Sequence, residues 1–183
     1  MMIYVLVLIA IGVFLYVLAP KTKKESEEDE RPGDEVNLEA AKKYFKFPEE
    51  VSFLLEETRK FLNKYRGINF PVNVPAFTLA VRQQEAGRAG REFGIMHPEA
   101  IDTDLETQLE WFLETLKKDT IRWNTGNLWQ GWRKESFRDF IEYFARKYAP
   151  IGAENDPQGL NRFWEKNVRH YYELFKAEGG EKQ

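Results

Sequence analysis

The stretch "FRDFIEYFARKYAPIGAENDPQGLNRFWEKNVRHYY", Phe137–Tyr172, decides the fold class. In its first part Phe137, Phe140, Ile141, Phe144 and Tyr148 recur at helical spacing, so one face of a helix is apolar. Ser136 stands where it is expected to cap that helix. "APIGAENDPQG" then interrupts the period with Pro and Gly and reads as a structured loop. Within it, Asp156-Pro157 is expected to cap a short helical turn and fix the loop. A last helix runs from about Leu160 to Lys176. Two helices around an ordered loop, without strand alternation, give an all-α class.

The same periodicity extends upstream. "FPEEVSFLLEETRKFLNKYRG" has Pro48 near a helix start and Gly67 at its end, and Val51, Leu54, Leu55, Thr58, Leu62 and Tyr65 share a face. "INFPVNVP" is an extended connector, and Pro75 fits the first turn of the next helix, "AFTLAVRQQEAG". Thr103 and Glu106 match a capping box, so a further helix is expected from Thr103 with Leu105, Leu109, Phe112 and Leu116 inward. "TGNLWQGWRKES" is a turn-rich loop. At most a small hairpin fits, around residues 88–102 or 123–133. No internal repeat is visible.

The N-terminus reads differently. Met2–Ala19, "MIYVLVLIAIGVFLYVLA", carries no charge. As a helix it would span about 27 Å, enough to cross a bilayer core. It lacks the basic n-region of a signal peptide, and Pro20 fits a cleavage site at Ala19 poorly. Residues 1–20 are therefore expected to be a single-pass anchor. Residues 21–37, charged and free of aromatics, are expected to be a tether. Residues 38–178 are expected to be the functional domain and 179–183 a frayed tail. Lys21, Lys23 and Lys24 favour a cytoplasmic C-terminal side by the positive-inside rule, so orientation stays open.

Composition narrows the chemistry. The chain has 183 residues, 43% hydrophobic and 15% aromatic, enough for one real core. A net charge of -3 gives no global signal for nucleic acid. No cysteine means no disulfide and no thiol nucleophile, and two histidines make a structural zinc site a poor fit. "GAENDPQG" lacks the acidic spacing of a calcium loop and the Lys-Ser/Thr of a phosphate loop. No metal and no cofactor is expected, and the chain is expected to be monomeric.

The chemistry-bearing stretch is "RQQEAGRAGREFGIMHP", Arg82–Pro98. Glu85 closes an apolar helix, where the carbonyl end disfavours an anion. Partial burial would act in the same sense, and both raise a carboxyl pKa. A carboxyl protonated near neutrality is what protonation of a glycosidic oxygen needs. Pattern alone favours an ordinary solvated Glu at a helix end. Glu92, in the same loop, leads the candidates for a second carboxylate, ahead of Asp102, Asp104 and Asp156. It also reads as a structural residue. Trp129 or Trp132 is expected to stack on a sugar ring, whereas Trp123 and Trp164 read as core. Phe93 and Tyr148 read either as cleft wall or as core. Asn155 is expected to border the cleft, and His97 to be a bystander.

Two segments carry a family resemblance. "FTLAVRQQEAGRAGREFGI" resembles the region around the catalytic Glu of the lysozyme-like superfamily, in which a helix ends in Glu, a small residue and Gly; Ala80, Glu85, Ala86 and Gly87 match. Tyr-Ala-Pro-x-Gly-Ala-x-Asn-Asp-Pro-x-x-Leu-Asn-x-x-Trp-x-x-Asn-Val, residues 148–168, resembles the C-terminal part of phage and bacterial glucosaminidase-like cell-wall hydrolases. The family usually has Ser where this chain has Ala86. The resemblance implies a lysozyme-like helical domain that cuts the glycan strands of peptidoglycan, as a glucosaminidase, a muramidase or a lytic transglycosylase. It implies Glu85 as the general acid. It also implies that one acid suffices where the substrate's N-acetyl group or 6-hydroxyl completes the reaction. An anchored domain outside the cytoplasm is expected. The alternative is a tethered peptidoglycan-binding module that kept the fold and lost catalysis.

Overall fold

The computed structural model describes residues 34–177. The expected anchor, most of the tether and the tail lie outside the described residues. The described residues belong to one compact unit. Its core is one cluster of buried side chains drawn from Ala40 through Phe175.

Six α-helices build the unit: α1 (Leu38–Tyr44), α2 (Val51–Lys64), α3 (Val74–Glu85), α4 (Leu105–Thr125), α5 (Phe140–Tyr148) and α6 (Trp164–Phe175). Short 3-10 turns lie at Pro48–Glu50, Trp129–Gly131, Lys134–Ser136 and Leu160–Phe163. No strand occurs among the described residues beyond one antiparallel bridge between Val36 and Lys176. The all-α class therefore holds, and the hairpin does not form. Among the described residues no helix is long and apolar enough to cross a membrane.

Helix α3 is the axis of the fold. Every residue from Val74 to Arg82 is buried. A helix apolar all round must be enclosed on all sides, and α6 and α2 supply most of that enclosure. Asn73 starts it, its side chain accepting from Ala76 N at 2.9 Å, with Pro75 in the first turn as expected. Phe77 ties it to its neighbours through edge contacts with Phe144 and Tyr172. The apolar stripes read from the sequence point inward: Leu54, Leu55 and Leu62 of α2, Leu109, Phe112 and Leu116 of α4, Phe140, Ile141 and Phe144 of α5.

Three boundaries differ from the reading above. Helix α4 is capped by Asp104, which accepts from Thr107 N at 2.8 Å; the Thr103 hydroxyl instead donates to Ala100 O at 2.6 Å. Helix α5 is capped by Asp139, not Ser136, which ends a 3-10 turn. Asp34–Asn37, assigned to the tether, belong to the folded unit. Asn37 N donates to Phe175 O at 2.8 Å, and the Asn37 side chain caps α1.

Candidate functional site

Glu85 is the last residue of α3, and the chain turns sharply there. Ala86 takes the left-handed conformation (φ 44°, ψ 27°) as its amide bonds back to Arg82 O at 3.0 Å. That conformation costs a non-Gly residue about 1 kcal/mol. Gly87 must be glycine, because a Cβ would stand 1.7 Å from Arg91 O.

The loop that follows is a fixed platform held by side chains from α3, α4 and α5. Arg82, 2% exposed, grips Glu50 with two bonds of 2.8 and 2.9 Å, lies 3.7 Å over the Phe47 ring, and donates to Gly87 O and Glu92 O. Gln108, fully buried on α4, accepts from the amides of Phe93 (3.3 Å) and Ile95 (3.2 Å) and donates to Ile95 O and Ala100 O. Tyr148 O–H donates to Phe93 O. With its backbone groups matched to these partners, the loop meets the demand that buried polar groups be paired.

The platform carries Gly94 (φ +67°) up against the Glu85 carboxyl. A Cβ at Gly94 would come within 2.4 Å of Oε2 and 3.0 Å of the carboxyl carbon. From the other side, the indole N–H of Trp164, the first residue of α6, donates to Glu85 Oε1 at 2.7 Å. Trp164 is itself walled in by Tyr148 and Phe144. Oε1 is thus held by one donor, while Oε2 has no hydrogen-bond partner among the described residues. Burial pushes the Glu85 carboxyl up to about 7, against the opposing pull of the Trp164 hydrogen bond. The Tyr148 hydroxyl is raised well above its usual value, by burial first and then by the nearby Glu85 charge. A carboxyl raised to about 7 by burial and fixed through one oxygen has the proton affinity that general acid–base chemistry uses.

The remaining candidates divide. Tyr148 joins Glu85 through Trp164 and Phe93. Phe93 does not offer its ring to a ligand: it is 0% exposed and stacks on Phe112 at 4.8 Å, so it is core, and it serves the site through its carbonyl. Glu92 is buried as well, with Oε1 accepting from Gly90 N at 3.0 Å and Oε2 enclosed without a partner. It braces the loop, and its carboxylate is not presented to solvent beside Glu85. Trp132 packs on Phe137 and Tyr143. Trp129 is 40% exposed and sits beside Lys147 and Arg122, both of which hold the buried Asp119. The indole that hydrogen-bonds Glu85 is that of Trp164, not Trp129 or Trp132. Asn155 is exposed on a loop that Asp156 fixes by accepting from the amides of Gly152, Leu160 and Asn161. Asp102 pairs with Arg88 and Arg91, Asp104 caps α4, and His97 stacks on Trp111 at 4.2 Å.

Trp164, Gln108, Arg82 and Gly94 were not read as site residues. Trp164 had a legible signal: a buried indole N–H needs an acceptor. Among the described residues no three His, Asp or Glu side chains converge to hold a metal ion. Comparison of the chain with protein-family models, with curated proteins and with solved structures finds no match.

Proposed function

We propose that this chain is a lysozyme-like glycosidase that cuts the glycan strands of peptidoglycan, with Glu85 as general acid. The observation that supports it best is the Glu85 carboxyl itself: raised to about 7 by burial, tied to Trp164 through Oε1 and without a hydrogen-bond partner at Oε2 among the described residues. At or below neutral pH much of it is protonated. It gives that proton to the glycosidic oxygen as the C–O bond breaks, and the developing oxocarbenium charge is met by the substrate's own acetamido group. Water then attacks and returns a proton to Glu85, giving hydrolysis. Attack by the substrate's 6-hydroxyl gives an anhydro sugar instead. No second carboxylate is asked of the protein, in keeping with the inward position of Glu92. Trp129 and Asn155, both exposed, are the proposed sugar-contacting residues. The expected membrane anchor would hold the domain on the peptidoglycan side.

One observation favours a second reading. The absence of a solvent-facing carboxylate partner for Glu85 among its contacts also suits a peptidoglycan-binding module without catalysis. Clearing of a cell-wall suspension by residues 32–183, compared with the Glu85→Gln variant, separates the two. Clearing by the wild type alone supports the enzyme. Equal clearing by both removes Glu85 as the acid, and no clearing by either, with retained wall binding, supports the module.

A further inference from the structure

Gln108 breaks the pattern of its helix. Leu105, Leu109, Phe112 and Leu116 form the inward stripe of α4, and Gln108 stands on that stripe as a primary amide, 0% exposed. A buried amide is tolerated where its hydrogen bonds are made, and this one makes them all. Its oxygen accepts from Phe93 N at 3.3 Å and Ile95 N at 3.2 Å. Its nitrogen donates to Ile95 O at 3.2 Å and Ala100 O at 2.7 Å. Two donors and two lone pairs are the full capacity of the group, and all four bonds end in the loop that follows Glu85.

The residue between the two clamped amides is Gly94. Its own amide bonds to Arg91 O at 3.0 Å, and the Phe93 carbonyl before it receives the Tyr148 hydroxyl. The backbone is thus pinned on both sides of Gly94, at a place where a Cβ would stand 2.4 Å from Glu85 Oε2. The Glu85 carboxyl fills the space that a side chain at position 94 would take. The other groups set against it are the Trp164 indole from α6 and the Tyr148 hydroxyl from α5, both uncharged near neutrality. Arg82, one turn back on α3, is committed to Glu50.

We infer that Gln108 is a positioning residue for Glu85: it holds the backbone on both sides of Gly94 against the Glu85 carboxyl and so keeps water from it. Burial is the largest influence on that carboxyl, raising it to about 7, so the group that fixes the burial fixes the proton affinity. The consequence for catalysis rests on the proposed role of Glu85 as general acid; the effect on the carboxyl does not.

Carboxyl carbon NMR titration of the full chain tests this. Gln108→Met, apolar and of similar length, makes none of the four bonds. Gln108→Asn keeps the amide but stops one carbon–carbon bond, about 1.5 Å, short of the loop. Each should lower the Glu85 pKa from about 7 toward its ordinary 4.5, by about one pH unit, as water reaches the carboxyl. Leu116→Ala, which opens a cavity two turns further along α4, should lower the melting temperature and leave that pKa in place. An unmoved pKa in the Gln108 variants, or an equal fall in Leu116→Ala, overturns the proposal. The wild type supplies a test that needs no variant: the Phe93 and Ile95 amides should exchange hydrogen as slowly as the buried turns of α4, and fast exchange there also overturns it. Release of soluble glycan by the Gln108 variants should decline about one pH unit below the wild-type decline. If the wild type releases none, the general-acid reading fails, while the titration still decides the part played by Gln108.

Discussion

The indole N–H of Trp164 reaches Glu85 Oε1 at 2.7 Å across 79 positions of sequence. One bond joins the C-terminal end of α3 to the first residue of α6, the two helices that enclose each other most fully. Because that bond pulls the Glu85 pKa down while burial pushes it up, Trp164 moderates the carboxyl rather than creating its shift. Trp164→Phe is expected to raise the Glu85 pKa above its present value of about 7. Carboxyl carbon NMR titration reads this directly. A pKa that stays put or falls would show that the bond has no electrostatic role.

The raised pKa has a stability consequence. Its ordinary value is 4.5 and its folded value about 7, so folding favours the protonated form. The contribution is fully present below pH 4.5 and is lost as pH rises through 7. By linkage the loss is about 3 kcal/mol. Glu85→Gln keeps an acceptor for Trp164 and never ionises. Urea unfolding should find it about as stable as wild type at pH 4 and about 3 kcal/mol more stable at pH 8. A difference independent of pH would contradict the burial of this carboxyl.

Gly94 is constrained twice, by φ +67° and by the Glu85 oxygen that a Cβ would strike. Gly94→Ala should lower stability by about 2 kcal/mol. It should also reduce wall hydrolysis more than a matched destabilisation elsewhere. Activity normalised to the folded fraction is the measure.

The platform rests on Arg82. Arg82→Met strands Glu50 and frees the carbonyls of Gly87 and Glu92. Partial exposure of Glu50 keeps the expected cost near the low end for a broken buried pair, about 3 kcal/mol. Hydrogen exchange should rise in residues 86–94 before the rest of the domain, and uniform exchange would mean that Arg82 does not hold the loop in particular.

Asp156 plays the corresponding part in the other loop. Asp156→Ala leaves three amides without their acceptor. Limited proteolysis should then cut within residues 150–161, which the wild type protects. Protection in the variant would show that Pro150 and Pro157 alone keep the loop ordered.

Much of this was legible in the sequence, and the failures have physical causes. Apolar period placed the buried faces of α2, α4 and α5, since burial is what creates the period. Capping was misassigned by short steps, Thr103 for Asp104 and Ser136 for Asp139. Several short polar residues precede each helix, and only the extended backbone at the true cap decides between them. Glu92 read both as a second carboxylate and as a structural residue, and only the inward turn made with Gly90 N, beside the Arg82 bond to its carbonyl, decides for the structural one. Trp164 read correctly as core, yet its one polar atom carries the site contact. Glu85, a carboxyl closing an apolar helix, was one candidate on local pattern, and the resemblance of residues 148–168 to cell-wall hydrolases is what selected it.

The pH profile of peptidoglycan solubilisation by residues 32–183 tests the central claim most directly. With Glu85 as the acid, release of soluble glycan fragments should fall as pH rises through about 7, and Glu85→Gln should release none at any pH. Wild-type release without that decline, or release by the variant matching wild type, would contradict the assignment.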